Sequence, residues 1–195
     1  DGVSEEHARL RITFVNDGLG TTQFKATAND IARNIIRTAN LNRYTDHIQF
    51  KQTAASINGL TTTRGGLETP RVDSNQLAYA SQACYGDHII VLSKEQYYPA
   101  TIQGNTYVSY EGCNGGERCM TIYALRGLGF SVFGMAPEED TVTEKLTKLR
   151  RSDLEMGYSI PQMQLIRQWF GSIQPDDIQV VGSLPEEEQS AGGNQ

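Results

Sequence analysis

The side chains able to do hydrolytic or metal chemistry in this sequence are few and widely separated. The three histidines, His7, His47 and His88, are scattered and show no metal-ligand spacing, so surface or strand-end positions are their ordinary use. Cys84 has no histidine near it in sequence, which favours a buried structural thiol over a nucleophile. Gly129-x-Ser131 resembles the start of a nucleophile elbow, but the next glycine falls at 134 where the turn needs it at 133. Asp73 and Asp87 are acids that could serve a relocated hydrolytic site together with one of the histidines. The pieces Arg64-Gly65-Gly66 and Gly115-Gly116 fit neither a phosphate loop nor a dinucleotide fingerprint and read as turns.

One segment demands more explanation: Arg126-Gly127-Leu128-Gly129-Phe130-Ser131-Val132-Phe133-Gly134-Met135-Ala136-Pro137-Glu138. It lies in an apolar stretch of helical length, Met120 to Phe133, yet holds two glycines, each costing a helix about 1 kcal/mol against alanine. A packing or inherited reason must keep them. The segment resembles the active-site helix and following turn of the IgA-peptidase family of zinc metallopeptidases, whose pattern runs H-E-x-G-H-S-x-x-G-x-A-D-E. Gly129, Ser131, Gly134, Ala136 and Glu138 match without a gap. The flanks resemble the family too: Arg11 to Gly18 looks like its opening strand and turn, and Asp87 to Leu92 like the strand that precedes its edge strand and active-site helix. The likeness spans residues 10–140 in order and spacing.

What the resemblance implies is a zincin-like fold from which the chemistry has been removed. A hydrolase of this type needs two imidazoles four residues apart on one helix face, a third ligand after the turn, and a carboxylate beside the first histidine as general base. In register those positions hold Arg126, Phe130, Pro137 and Gly127. Arginine is a fixed cation that repels a metal ion; phenylalanine has no lone pair, proline no side-chain donor, and glycine no proton acceptor. The expectation is therefore no metal, no cofactor and no catalytic residues. Arg126 could pair with Glu138 or Glu139 and fill the former metal cavity with an ion pair.

In zincin-type proteases an extended substrate pairs with an edge strand beside the metal, and a domain without catalysis could retain that groove for peptide addition. Thr106 to Tyr110 reads as a short alternating strand at a sheet edge, with Tyr97, Tyr98, Tyr107 and Tyr110 clustered around it. Those tyrosines, with Arg126 and Glu138, are the candidate binding groove. Tyrosines that merely cover a sheet edge are the alternative.

The elements that must position these residues are legible in outline. Leu10, Ile12 and Phe14 alternate with Arg11 and Thr13 as a half-buried strand does. Thr21 or Thr22 can cap a helix with Phe24, Ala28, Ile31, Ile35 and Ala39 on one face. His47 to Gln52 reads as a second strand, residues 55–72 as a long loop, and Asp73 or Ser74 to Ala83 as a short helix. His88-Ile89-Ile90-Val91-Leu92 has the continuous apolar character of a central strand covered on both faces. Two further helices are expected near Thr141–Leu154 and Pro161–Phe170. The fold class is α/β (α+β): one domain over residues 1–184, with a mixed, mostly parallel sheet and an edge strand beside the degenerate helix. Residues 185–195 form an acidic, then Gly-rich tail or linker.

The chain has 195 residues with 38 % hydrophobic and 21 % charged, enough for one domain with a substantial core. A net charge of -6 and the lack of a basic run argue against nucleic acid. No apolar run approaches the ~20 residues of a membrane span. Cys113 and Cys119 bracket a tight segment, Asn114 to Arg118, and could close as a disulfide, with Cys84 left over. That pairing would place the domain in an oxidising, extracytoplasmic setting: secreted, periplasmic or at the cell surface. Three reduced thiols in a cytosolic protein are the alternative. The resulting expectation is a non-catalytic domain for protein binding, adhesion or assembly, with a protein or peptide partner. The alternatives are a hydrolase with a relocated site and a rigid spacer in a larger surface or appendage protein.

Overall fold

The computed structural model describes residues 9–38, 41–64, 68–83, 86–135 and 160–171. The expected helix at 141–154, the tail at 185–195, and His7, Cys84, Pro137, Glu138 and Glu139 lie outside the described residues. The elements in chain order are β1 (Leu10–Asp17), α1 (Thr21–Thr38), a 3-10 helix (Asn42–His47), β2 (Ile48–Gln52), β3 (Thr61–Thr62), β4 (Arg71–Val72) and α2 (Ser74–Ala83). Then come β5 (His88–Ser93), β6 (Ala100–Ile102), β7 (Asn105–Ser109), α3 (Glu117–Ser131) and α4 (Ile160–Phe170).

Five strands form one sheet in the order β2-β1-β5-β7-β6. Every neighbouring pair is parallel except β6–β7, which is antiparallel. The class is thus mixed α/β with a mostly parallel sheet, as the alternation of strand and helix patterns indicates. Period-two geometry splits the strands between two cores. Leu10, Ile12 and Phe14 of β1, Ile90 and Leu92 of β5 and Val108 of β7 pack beneath α1, α3 and α4. Val15, Ile89, Val91 and Tyr107 pack on the opposite face against Leu60, Ala80 and Tyr97. Helices and loops therefore sandwich the sheet, and this is why β5 is buried along its whole length.

On α1, Phe24, Ala28, Ile31 and Ile35 are all buried, at the helical spacing read from sequence. Each large apolar side chain so buried stabilises the fold by about 1.5–3 kcal/mol. The first turn of α1 closes through the Phe24 amide onto the Gly20 carbonyl, so Gly20 occupies the place expected for Thr21 or Thr22. The second strand begins at Ile48, because His47 ends the preceding 3-10 helix.

Two expectations are corrected. The segment 55–72 is not a featureless loop, since β3 and β4 pair as a small antiparallel ribbon within it. Nor is Thr106–Tyr110 an edge: β7 lies inside the sheet between β5 and β6, and the edge on that side is β6. The cause is a two-residue turn at Gln103 and Gly104, both with positive φ (49° and 81°), which folds the chain back with the twist that antiparallel strands need. β6 is only three residues long and follows Pro99, two features that blunt a sheet edge against indiscriminate pairing.

Candidate functional site

Helix α3 leaves a tight turn in which Asn114 and Gly115 have positive φ (49° and 65°). Cys113 and Cys119 are disulfide-bonded with their Cα atoms 5.6 Å apart, so the bridge ties that turn to the first turn of the helix. No side chain caps the N-terminus at Gly116, but Glu117 stands in the first turn, where the helix dipole favours a negative charge. Met120, Thr121, Ala124, Leu125, Gly127, Leu128 and Gly129 are buried, with Thr121 facing Asn34 of α1 (3.4 Å). The helix ends at Val132, and Gly134 with φ 70° carries the chain away.

Gly127 sets the distance between α3 and the sheet. A Cβ added there would stand 1.6 Å from Thr106 Oγ1 on β7 and 3.3 Å from Thr101 Oγ1 on the edge strand. No side chain can leave the helix at this position without a backbone shift, so this is a packing reason for one of the two glycines. Arg126 and Phe130, one turn apart, are half-exposed, and the guanidinium carbon lies 5.4 Å from the ring centroid. That distance allows a cation–π contact, and the i, i+4 spacing brings the two side chains together. Neither can donate a lone pair to a metal ion. Arg126 cannot be assigned the expected partners Glu138 and Glu139, which fall outside the described residues together with Pro137.

Beneath the same helix, His88 Nε2 lies 2.9 Å from Thr106 Oγ1. Burial lowers the imidazole pKa to about 4, because the charged form would have to shed its water. His88 is thus a neutral core residue in the layer between β5, β7 and Gly127.

A second polar cluster occupies the carboxyl ends of β1 and β5, where Asp17 and Ser93 stand opposite each other in register. The order of the sheet reverses between these two strands, a place where open α/β sheets form their crevices. Here the crevice is filled from within. Asp17, 2 % exposed, accepts hydrogen bonds from the amides of Leu60 (3.1 Å) and Thr61 (3.0 Å), from the Ser93 hydroxyl (2.9 Å) and from the Thr61 hydroxyl. These donors satisfy the buried carboxylate and pin the β3 ribbon over the strand ends. In sequence Asp17 reads as a turn residue before Gly18, and nothing local marks it as buried; the partners lie 43 to 76 residues away.

The four groove tyrosines do not share a surface. Tyr97 and Tyr107 are fully buried (0 %) on the face of the sheet opposite α3; the Tyr97 hydroxyl lies near Thr61 and Ser93 and the Tyr107 hydroxyl near Asn105, none of them in good hydrogen-bond geometry. Burial pushes the Tyr97 phenol well up and the Tyr107 phenol to about 12. Tyr98 is 56 % exposed just ahead of β6, its amide donating to the Glu68 carbonyl (3.2 Å). Tyr110 is half-buried against the α1–α3 core, its hydroxyl close over Gly115. Of the expected groove, Tyr98, Tyr110 and Arg126 keep some exposure.

The acids weighed for a relocated site have structural partners. Asp73 Oδ1 accepts from the Asn75 and Gln76 amides (2.9 and 3.1 Å) and caps α2. Asp87 accepts from the Arg11 amide (2.7 Å) and returns its own amide to the Arg11 carbonyl, stitching β5 to β1. Among the described residues no three His, Cys, Asp or Glu side chains gather as metal ligands, and no helix is long and apolar enough to cross a membrane. No protein-family model matches the sequence, and no curated protein matches it significantly.

Proposed function

We propose that this chain is a non-catalytic binding or assembly domain that works outside the cytoplasm on a scaffold of the zinc-metallopeptidase type. The observation that carries the reading is the state of α3. Where the resemblance calls for two imidazoles and a carboxylate, the helix presents Arg126 and Phe130 in contact with each other and Gly127 pressed onto the sheet. The sheet supports the scaffold assignment, since a mostly parallel sheet ends in an antiparallel edge strand lying beside that helix. The Cys113–Cys119 bond supports an oxidising compartment.

The partner-facing surface in this reading is the edge strand β6 with Tyr98 before it and Arg126 on the adjoining helix. A peptide adding to β6 would gain main-chain hydrogen bonds along a three-residue edge, with the exposed tyrosine as contact area. Hydrolysis of a mixed-sequence peptide library, followed by mass spectrometry with and without added zinc, tests the lack of catalysis. The expected outcome is no cleavage that zinc restores or a chelator removes. Zinc-dependent cleavage would overturn the reading.

A further inference from the structure

A cavity lined by no residue of α3 has the chemistry of an anion receptor. The 3-10 helix and α4 meet through Tyr44 and Phe170, whose rings stack with centroids 4.2 Å apart and planes 6° from parallel. An open cavity of about 520 Å³ lies at this junction, lined by Asn42, Arg43, Tyr44 and His47 on one side and Arg167 and Phe170 on the other. Its size falls in the range of small-ligand and side-chain pockets.

The cavity gathers two guanidinium groups and an imidazole on a chain whose net charge is -6. Arg43 and Arg167 are exposed, and no carboxylate pairs with either among the described residues; Asp46, on the same 3-10 helix as Arg43, does not. Guanidinium forks suit planar oxyanions, which they hold by two parallel hydrogen bonds, and Asn42 adds an amide donor. The aromatic pair supplies a rigid apolar wall on which the methylenes of an acidic side chain can lie.

We infer that this cavity binds the carboxylates of an acidic peptide segment. The occupant is an acidic stretch of a partner protein, chosen by charge complementarity with Arg43, Arg167 and His47; the chain's own Glu186-Glu187-Glu188 is the competing occupant that the test separates. The inference does not depend on the reading of α3, since no residue of the cavity belongs to that helix.

The test is fluorescence anisotropy of a labelled peptide with the sequence of residues 183–190, Ser-Leu-Pro-Glu-Glu-Glu-Gln-Ser, titrated with the full chain. Emission of Trp169, the single tryptophan, whose ring centroid lies 4.8 Å from that of Phe170, is followed in parallel. Saturable binding is expected that falls at least tenfold in Arg43→Gln/Arg167→Gln, with an unchanged thermal melt, and at least tenfold for a peptide with glutamines in place of its glutamates. Equal binding to the wild-type chain and to a Glu186→Gln/Glu187→Gln/Glu188→Gln variant assigns the cavity to a partner. Binding that strengthens in that variant shows the chain's own acidic segment to be the occupant and overturns the assignment to a partner. Affinity unaltered by the arginine substitutions, or no binding to either the wild type or the triple variant, overturns the inference.

Discussion

Gly127 of α3 lies so close to Thr106 of β7 that a Cβ on the glycine would stand 1.6 Å from the threonine Oγ1 and 2.9 Å from its Cβ. The contact brings α3 down onto the edge hairpin and leaves little room for a side chain at position 127. Alanine there gains about 1 kcal/mol of helix propensity but must push the helix off the sheet. Gly127→Ala should therefore destabilise by a net 1–3 kcal/mol, roughly the cost of overpacking a tight core. Thr106→Ala combined with it should cost less than the sum of the single changes, because it removes the nearest atom. Urea melts of the four proteins in the cycle measure this coupling, and strict additivity would contradict the contact.

The His88–Thr106 pair makes stability depend on pH in a defined window. Burial lowers the folded imidazole's pKa to about 4 from its ordinary 6.5, so between those values the unfolded chain binds a proton that the folded chain does not. Stability contributed by neutral His88 is full above about pH 6.5 and is lost as pH falls toward 4. The loss amounts to about 3 kcal/mol at pH 4, at 1.36 kcal/mol per pKa unit. Denaturant melts at pH 7 and pH 4.5 should show His88→Asn losing less stability on acidification than the wild type. Equal losses would mean that His88 is not the buried neutral group described.

Tyr107 and Tyr98 should separate core from surface. Tyr107→Ala removes a fully buried ring, and its cost should be about 3–5 kcal/mol. Tyr107→Phe should be within about 1 kcal/mol of neutral, since the hydroxyl makes no well-aligned hydrogen bond among the described residues, Asn105 being its nearby side chain. Tyr98→Ala, on an exposed side chain, should stay within roughly 0.5 kcal/mol. Thermal melts check all three, and a silent Tyr107→Ala would contradict the buried assignment.

The disulfide closes a loop of six residues' separation ahead of α3. A loop of that size restrains the unfolded chain by about 2 kcal/mol in the chain-entropy description. Reduction, or Cys113→Ser/Cys119→Ser, should lower the urea midpoint accordingly and raise amide exchange in the first turn of α3 before the rest of the helix. An unshifted midpoint would show that the bridge carries no stability.

Local periodicity made most of the scaffold legible: the alternation of Leu10, Ile12 and Phe14, the Phe24–Ile35 face, the apolar run of β5 and the end of α4 all stand where the patterns place them. The edge was misplaced because Gln103-Gly104 is a weak turn signal and three-residue β6 has no period to read. The tyrosine cluster came apart because only Tyr107 lies in a strand: it packs with Tyr97 in the core opposite α3, whereas Tyr98 precedes β6 and Tyr110 follows β7. The cavity between the 3-10 helix and α4 could not be foreseen, since it joins Arg43 and Arg167, more than a hundred residues apart in sequence. The Asp17 cluster was hidden in the same way, by partners that only the folded chain brings together.

The proposed absence of a metal site at α3 is tested most directly by bound zinc per chain. The full chain is equilibrated with excess zinc, dialysed against metal-free buffer and analysed by atomic emission. The expected result is less than about a tenth of an equivalent, because Arg126, Gly127 and Phe130 offer no ligand atoms from their side chains. Close to one equivalent, held against dialysis and removed by a chelator, would contradict the proposal and favour a metal-dependent activity.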